Sequence, residues 1–510
     1  MRINSRDQIK IGAILSYLSI GINIIAGLLY TPWMVDTIGK SDYGLYTLAN
    51  SLITLFLVDF GLSSAVSRYV AKYRAEGRQD KVNNFLGAVY KLYLIIDAVI
   101  FVALLIIYFC IDSVYVKLTL AELEKFKVVY LISASFAVIN FPFVTFNGIL
   151  NSYEQFIPLK LADVIYRILL VALTVITLLF GCGLYGLVAV HAIVGLIVIA
   201  YKWIVIKKQI TLKINWKYSD FSLYKDIFGF SIWVTISSLA QRLVFNITPS
   251  ILGTVASSAA IALFGIVATI EGYTYTITTA INGMFMPKIS RIYERGGEKD
   301  ELMPLMLSVG KFQYAINGLI VAGFAVVGKE FINLWMGPTY LDAYYGILLV
   351  IIPGLFFNSM QIANTAMIVR KKVNLQAWVN LGMGMVNVLL SIILSSYFGV
   401  IGACISISIA YMLRAVVLLF IYKRVLKIDM ASFVINCYFR MGIPIIITIM
   451  LGFLMNSLLP NGGWLVLAAK GVVIVGIYAV VTLLLGLNSE ERNKLLRRKA
   501  VSYTHLRAHE

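Results

Sequence analysis

Long apolar runs recur along this chain, and their length limits the folds available to it. Between Ile11 and Gly486, runs of about 18–25 residues alternate with short polar connectors. We count about fourteen such runs, and a helix of roughly 20 residues crosses the ~30 Å hydrocarbon core of a bilayer. No stretch with the composition of a soluble domain remains between the runs. The sequence therefore predicts an all-α polytopic membrane protein.

The predicted membrane spans follow one another closely. They cover residues 11–35, 43–66, 86–111, 128–150, 161–181, 184–206, 228–252, 257–287, 305–328, 344–368, 377–398, 400–422, 441–459 and 464–485. Composition agrees with this interpretation, because 60% of the residues are hydrophobic and only 13% are charged. We therefore expect a protein whose work is done in or across a lipid bilayer.

The positive charge of the chain is arranged in a way that predicts its orientation. The formal net charge is +18, and most Lys and Arg residues lie in alternate connectors, including 68–81, 202–225, 288–299 and 370–372. The connectors of the opposite set contain few basic residues: Lys40, Lys117, Lys125, Lys127 and Lys329. Basic connectors face the cytoplasm, so we expect an even number of spans with both termini cytoplasmic. This explanation of the charge makes a nucleic-acid partner unnecessary.

Residues typical of metal, redox or hydrolytic chemistry are sparse. The four cysteines are isolated from one another, which argues against a disulfide framework or a metal site. His191 is the one histidine of the main body, so we expect neither a His-based metal site nor a catalytic triad, and no enzyme activity. Residues 501–510 resemble a translated sequencing-adapter tail, and we expect them to play no part in function.

An internal repeat divides the predicted spans. Lys207-Lys208 corresponds to Lys423-Arg424, and Gly183–Gly186 corresponds to Gly399–Gly402 at the same offset. Because each repeat would contain six spans, the two would enter the membrane from the same side and enclose a cavity. We expect a six-helix lobe over 1–210, a second six-helix lobe over 211–427, and a terminal helix pair over 428–500.

Several short motifs carry a family resemblance. They are Asp42-Tyr43-Gly44-Leu45-Tyr46, Asp59-Phe60-Gly61-Leu62, Ser67-Arg68-Tyr69, Ala75-Glu76-Gly77, Pro287-Lys288-Ile289-Ser290-Arg291 and Leu334-Trp335-Met336-Gly337-Pro338-Thr339-Tyr340. Together they resemble bacterial oligosaccharide flippases, the polysaccharide-transport branch of the superfamily that also contains MATE drug exporters and the lipid II flippase.

The resemblance implies a fold, a substrate and a location. The fold is the MOP flippase fold with about 14 transmembrane helices. The implied substrate is an undecaprenyl-diphosphate-linked oligosaccharide, moved from the cytoplasmic to the periplasmic leaflet by alternating access for O-antigen, capsule or exopolysaccharide synthesis. The implied location is the bacterial inner membrane, where a polysaccharide polymerase and chain-length machinery are potential partners.

Cationic side chains inside the spans are the first candidates for the substrate site. Because a charge at mid-bilayer is costly, it usually faces a cavity or a partner. The candidates are Arg242, Arg414, Lys311, Arg167 and Lys91. A guanidinium suits a lipid diphosphate, since it offers paired donors to phosphate oxygens. The alternatives are an ion pair of Arg242 with Glu271 or another acid, pairing of Arg167 with Asp163, or snorkelling of Lys311, Arg167 and Lys91.

Acidic and polar side chains inside the spans form a second set. They are Glu271, Asp97, Asp59, Tyr275 and Asn282. A carboxylate there could carry a coupling ion, H⁺ or Na⁺, and the hydroxyl and amide groups could contact sugar. The alternative for the polar stripe beside Glu271 is interhelical hydrogen bonding. Asp59 could simply organise its own helix. No other cofactor is expected.

Other functions make different predictions. A drug or cation exporter predicts twelve spans and an acidic cavity, whereas lipid II export is compatible with fourteen spans. A polysaccharide polymerase would be supported by a large periplasmic loop, and an acyltransferase by a deep polar histidine site. The longest external connectors here are only 112–127 and 329–343. The chain contains no nucleotide-binding loop, so energy would come from an ion gradient or from consumption of the product.

Overall fold

Helices account for almost all of the described chain. The computed structural model describes residues 5–210, 213–218, 221–280, 282–460, 462–489 and 491–492, and no strand forms within these ranges. The first ten helices are α1 (Ser5–Ile38), α2 (Lys40–Phe56), α3 (Leu62–Ala75), α4 (Gln79–Val114), α5 (Leu120–Asn140), α6 (Thr145–Ser152), α7 (Phe156–Leu179), α8 (Gly183–Gln209), α9 (Phe221–Phe245) and α10 (Thr248–Val255). The next nine are α11 (Ser258–Thr279), α12 (Met286–Glu294), α13 (Glu298–Met336), α14 (Ala343–Asn358), α15 (Gln361–Val369), α16 (Val373–Leu426), α17 (Met430–Phe433), α18 (Arg440–Leu458) and α19 (Trp464–Val481). The tail 501–510 lies outside the described residues.

The all-helical membrane fold is confirmed, whereas the number of spans is not. Among the described residues, 10 helices are long and apolar enough to cross a bilayer, or 11 if α14 and α15, which meet at a 52° bend, form one span. Part of the difference from fourteen arises because α16 covers both 377–398 and 400–422. Another part arises because α2, with 17 residues, is too short to qualify by itself.

A glycine divides the 54 residues of α16 into two helical arms. Gly399 has a φ of 55° and a ψ of −131°, a conformation that is strained for any residue with a Cβ. Beyond it, a Cβ on Gly402 would lie 2.1 Å from the carbonyl oxygen of Leu394, and the Ser406 hydroxyl donates to the Asn387 carbonyl at 2.9 Å. These contacts fold α16 back on itself as a helical hairpin.

The described contacts divide the chain into two compact units. The first contains the chain up to Gly265 together with Asn380–Ser406, and the second contains Ile266–Val379 together with the chain from Ile407 onward. In the first unit α1 packs on α7, α7 on α8, α3 on α6 and α2 on α5. In the second unit α13 packs on α14, α18 and α19. This division differs from the expected lobes 1–210 and 211–427, whose basis is the sequence repeat and which remain a prediction.

The second predicted span, 43–66, is broken into α2 and α3. Phe60 and Gly61 both have positive φ angles, of 51° and 67°, so the helix cannot continue through them. Asp59 stabilises the new helix start, because its Oδ2 accepts the backbone amide of Ser63 at 3.1 Å. The Asp59-Phe60-Gly61-Leu62 motif is therefore a helix break whose polar residue organises α3.

Close contacts hold the beginning of α2 against its neighbours. Lys125 forms an ion pair with Asp42 at 2.9 Å, and Glu122 accepts hydrogen bonds from the hydroxyls of Ser41 at 2.5 Å and Ser258 at 2.6 Å. Gly44 lies so near the backbone that a Cβ there would be 2.1 Å from the Ser258 carbonyl oxygen. The Asp42–Tyr46 motif therefore ties α2 to α5 and to the start of α11.

Gly44→Ala is expected to destabilise the protein by about 1–3 kcal/mol, because the new methyl group must displace the backbone at Ser258. The measurement is thermal unfolding of the purified protein in detergent, where the melting temperature should fall. Gly21→Ala is the matched control, since a Cβ on Gly21 meets no atom within 4 Å. Equal melting temperatures for the two variants would show that the contact at Gly44 is not restrictive.

Candidate functional site

Arg242 combines a buried position with incomplete hydrogen bonding. It lies in the last turn of α9 and is half-buried. Its Nη1 is buried and has no hydrogen-bond partner in the described part of the chain. A guanidinium nitrogen in such a place retains an N–H group that can donate a hydrogen bond to a ligand oxygen. Arg242 shares this property with Arg167, whose Nε is also buried without a partner among the described residues.

The chain around Arg242 explains how it is held. α9 ends at Phe245, and carbonyls of its last turn accept from side chains: the Thr248 hydroxyl donates to that of Val244 at 2.6 Å. The side-chain amide of Asn387 donates to two of them, at Leu243 (3.2 Å) and Val244 (3.3 Å). Gly384, one turn away on α16, brings the two helices together, since a Cβ there would lie 2.9 Å from the Ala240 carbonyl oxygen. This packing fixes the end of α9.

An acid predicted in the other set of candidates lies near Arg242. Asp59 and Arg242 are within electrostatic range of each other, and α9 packs against both α2 and α3. Asp59 does not form an ion pair with Arg242 within 4 Å; it accepts from the Tyr93 hydroxyl and the Ser63 amide. The structure thus brings together two residues that the sequence separates widely. Glu271 belongs to the other unit, and its pairing with Arg242 remains a prediction.

Arg414 has the corresponding character in the second unit. It is only 3% exposed, and its Cζ lies 3.6 Å from the ring centroid of Phe357 and 6.0 Å from that of Tyr411. Its Nε is buried without a hydrogen-bond partner among the described residues. Aromatic faces stabilise a guanidinium without occupying its donors. Arg414 therefore retains one buried donor without a partner among the described residues.

Glu271 and Tyr275 lie near Arg414. Both tyrosines of this cluster, Tyr275 and Tyr411, are within electrostatic range of Glu271 and of Arg414. Glu271 is half-buried, and Tyr275 is 41% exposed. We name Glu271, Tyr275, Phe357, Tyr411 and Arg414 the second-unit cluster. It contains one cation, one carboxylate and aromatic rings within a single unit.

The polar stripe after Glu271 is engaged in hydrogen bonds between helices. Thr278 donates to Asn317 at 2.6 Å, and Asn317 donates to the Gly354 carbonyl at 3.1 Å. Gln313 donates to Asn282 at 2.5 Å. These bonds join α11, α13 and α14 and correspond to the interhelical alternative for Asn282. The carbonyl oxygen of the Asn317 amide and the Thr278 hydroxyl are thereby satisfied, as buried polar groups require.

Three other predicted cations have partners in the structure. Lys311 is buried and forms an ion pair with Glu491 at 2.7 Å, Lys91 donates to the Tyr218 carbonyl at 3.1 Å, and Arg167 donates to the Asn23 carbonyl at 3.2 Å. Each of these contacts gives the cation a structural partner. Whether any of the three also contacts substrate remains a prediction.

Two expectations about α7 and α4 have different outcomes. The expected pairing of Asp163 with Arg167 is wrong, because Asp163 instead pairs with Lys160 at 3.4 Å. Asp97 is half-buried, and its Oδ1 has no hydrogen-bond partner in the part of the chain that is described. Asp97 lies one turn from Tyr93 on α4, and its proposed role in ion coupling remains a prediction.

Sequence reasoning missed the most deeply buried ion pair. Lys470 Nζ lies 2.8 Å from Glu330 Oε2, with side-chain exposures of 0% and 6%. Glu330 Oε1 also accepts the Gly462 amide at 2.9 Å. Lys470 lies inside the predicted span 464–485, so the rule for intramembrane charges would have identified it. The pair joins α13 to α19 and to the loop before α19.

A histidine cluster was also missed. The hydroxyl of Tyr46 lies 2.7 Å from His191 Nε2, and that of Tyr166 lies 3.5 Å from Nδ1. These residues come from α2, α7 and α8, and Arg167 is within electrostatic range of His191. The single histidine gave no motif in the sequence, because its partners are distant along the chain. Among the described residues, no group of three or more His, Cys, Asp or Glu side chains could hold a metal ion.

Comparison with known sequences identifies the family. Residues 9–293 match the family described as polysaccharide biosynthesis protein. The chain is 21% identical over 495 residues to "Uncharacterized membrane protein EpsK" of Bacillus subtilis (strain 168), covering 94% of this chain and 95% of that protein. It is 22% identical over 402 residues to "Putative O-antigen transporter" of Shigella flexneri, covering 77% and 92%. The chain belongs to the polysaccharide biosynthesis protein family.

Solved structures with the same fold come from two kinds of transporter. The lipid II flippase MurJ, in an inward closed conformation, matches with a TM-score of 0.73 and 14% identity, covering 92% of this chain and 98% of MurJ. An inward-facing MATE-family multidrug transporter of the MOP superfamily matches with a TM-score of 0.64 and 15% identity, covering 83% and 98%. The expected MOP flippase fold is therefore confirmed, and the chain is a multi-pass membrane protein.

Proposed function

We propose that this protein is a flippase for lipid-linked oligosaccharides. It would move undecaprenyl-diphosphate-linked repeat units from the cytoplasmic to the periplasmic leaflet by alternating access, for O-antigen, capsule or exopolysaccharide synthesis. Its family and its fold support the general class, a flippase of a lipid-linked substrate. The named relative from Shigella flexneri carries a transporter description that agrees with this class.

The observation that carries the proposal is the unsatisfied guanidinium of Arg242. A diphosphate that leaves water needs donors to replace its hydration, and a guanidinium supplies them in paired geometry. Arg242 has a buried Nη1 without a partner among the described residues, while Asp59 is near it but bonded elsewhere. Arg242 would bind the diphosphate, and Arg414 would offer a second cationic position in the other unit.

The second-unit cluster would bind sugar and a coupling ion. Aromatic rings such as those of Tyr275 and Tyr411 suit the apolar faces of sugars, and their hydroxyls suit the polar edges. Glu271 would exchange H⁺ or Na⁺ during the transport cycle. Asp59 and Asp97 are further carboxylates that could take this role.

Glu271→Gln is expected to uncouple transport from the ion gradient, because an amide cannot bind H⁺ or Na⁺ as a carboxylate does. The measurement is the initial transport rate in proteoliposomes with and without an imposed H⁺ or Na⁺ gradient. Stimulation by the gradient should vanish in Glu271→Gln and persist in Glu294→Gln, which removes an exposed carboxylate from the end of α12. Gradient stimulation of Glu271→Gln equal to that of the unaltered protein would exclude Glu271 from coupling.

The proposed setting is the bacterial inner membrane, with both termini in the cytoplasm. The basic connectors support this orientation. On the periplasmic side, a polysaccharide polymerase and its chain-length machinery would consume the product. No nucleic acid, enzyme activity or cofactor other than a coupling ion enters the proposal.

A proteoliposome assay tests the substrate class directly. The purified protein would be given an undecaprenyl-diphosphate-linked oligosaccharide, lipid II, or a cationic drug in separate experiments. We expect transfer of the oligosaccharide lipid to the opposite leaflet, with slower transfer of lipid II and no drug transport. Preferential transfer of lipid II would indicate that the protein exports lipid II. Transport of the drug alone would indicate a MATE-type drug exporter.

A further inference from the structure

A cavity in the first unit is lined by none of the side chains placed in the proposed transport site. It is a partly open cavity with a volume of about 630 Å³. Its lining comes from α4 and α8, from Ile210, Lys213 and Ile214, and from Phe143, Phe146 and Ile149. Cavities of this size accommodate small ligands or a lipid headgroup with part of its chains. Its walls include the aromatic side chains of Tyr90, Phe146 and Trp203.

Lysines contribute to the lining of this cavity. Lys207, Lys208 and Lys213 belong to its lining, and no Asp, Glu or Arg does so among the described residues. None of the ion pairs formed within the described chain involves these three lysines. The cavity therefore joins an apolar aromatic wall to a group of cations without a compensating acid. That combination is complementary to an anionic amphiphile.

Trp203 connects the cavity with the surface of the protein. Its side chain is 50% exposed, and Lys207 Nζ lies 4.9 Å from its ring centroid. A Trp and Lys pair at the end of a membrane helix is typical of the level of the lipid headgroups. The basic connectors assign this end of α8 to the cytoplasmic leaflet.

We propose that this cavity is a binding site for an anionic glycerophospholipid of the cytoplasmic leaflet. The phosphate lies against Lys207, Lys208 and Lys213, and an acyl chain follows the wall formed by Phe146 and Trp203. The bound lipid lies between the residues of α4 and α8 that line the cavity. The site is separate from the flippase proposal, since it requires no transport of the lipid.

The lining favours a phospholipid over the diphosphate carrier. Lysines act as point charges that suit a single phosphate group, whereas a diphosphate is best matched by the paired donors of arginine. Arginine is absent from the described lining of the cavity. The cavity also lies wholly within one unit, so it does not need the alternation between states that translocation would impose.

Native mass spectrometry of the full chain in detergent tests the proposal. Dioleoylphosphatidylglycerol, dioleoylphosphatidylcholine and undecaprenyl diphosphate would be titrated separately and in competition. We expect phosphatidylglycerol to bind more tightly than phosphatidylcholine. Lys207→Gln with Lys208→Gln should weaken phosphatidylglycerol binding by about tenfold or more, because each lysine near an anionic headgroup contributes favourably.

The internal repeat supplies a matched control. Lys423→Gln with Arg424→Gln removes two charges at the corresponding positions of the second half, where both residues are exposed, and should leave binding unchanged. Trp203→Leu should weaken binding without any change in charge. Equal losses in the two double variants would indicate non-specific charge attraction and overturn the site. Displacement of phosphatidylglycerol by equimolar undecaprenyl diphosphate, or no preference over phosphatidylcholine, would overturn the proposed ligand.

Discussion

Arg242→Ala is expected to reduce transport of an undecaprenyl-diphosphate-linked oligosaccharide by about 100-fold or more. Each charge-assisted hydrogen bond contributes about 1.5–3 kcal/mol, and a guanidinium can donate two of them to one phosphate group. Removing the side chain should leave the fold intact, since its buried Nη1 makes no hydrogen bond in the described chain. The measurement is the initial rate of leaflet transfer in proteoliposomes at equal protein content.

Two further variants separate substrate binding from general charge. Arg242→Lys keeps the charge but not the paired donors, so its rate should lie between those of Arg242→Ala and the unaltered protein. Arg295→Ala removes an exposed guanidinium that follows α12 and should transport normally. Normal transport by Arg242→Ala would show that this residue does not bind the substrate.

Lys470→Ala is expected to have the largest effect on stability, a loss of about 3–5 kcal/mol, because it leaves Glu330 charged and buried without its partner. Both side chains are almost inaccessible, at 0% and 6% exposure. The loss should appear as a lower free energy of unfolding in detergent. The helix that detaches first should be α19, which would show as faster hydrogen exchange in its backbone.

The control uses the same pair. Glu330→Leu with Lys470→Met replaces both charges by apolar side chains, and should recover most of the stability lost by the single variant. Lys160→Ala removes one partner of an ion pair whose side chains are 35% and 46% exposed, and should cost less than about 1 kcal/mol. A loss below that value for Lys470→Ala would contradict a stabilising role for the buried pair.

Hydropathy predicts the helical membrane fold and the division of α16 at Gly399, between the expected spans 377–398 and 400–422. It does not predict the break inside the expected span 43–66. Apolar composition does not report backbone angles, so the break at Phe60 and Gly61 within the predicted span 43–66 was not foreseen. Breaks of this kind depend on a few φ angles and on contacts between distant segments, which a sequence window does not contain.

The candidate site was predicted in its residue types and only partly in its arrangement. The cost of burying charge identified Arg242 and Arg414 from the sequence. Their environments could not be read in the same way, because Asp59 approaches Arg242 from the break between α2 and α3, and Phe357 approaches Arg414 from another part of the chain. Tertiary packing likewise supplied Glu491 as the partner of Lys311.

The central claim is that this chain delivers a lipid-linked oligosaccharide across the membrane. The most direct measurement is made in a cell that carries the matching glycan genes and no other flippase for the same substrate. With the gene deleted, undecaprenyl-diphosphate-linked oligosaccharide would be quantified separately in each leaflet. Accumulation of the complete repeat unit on the cytoplasmic face, reversed by the intact gene and not by Arg242→Ala, is the predicted result. Unchanged delivery to the periplasmic face in the deletion strain would contradict it.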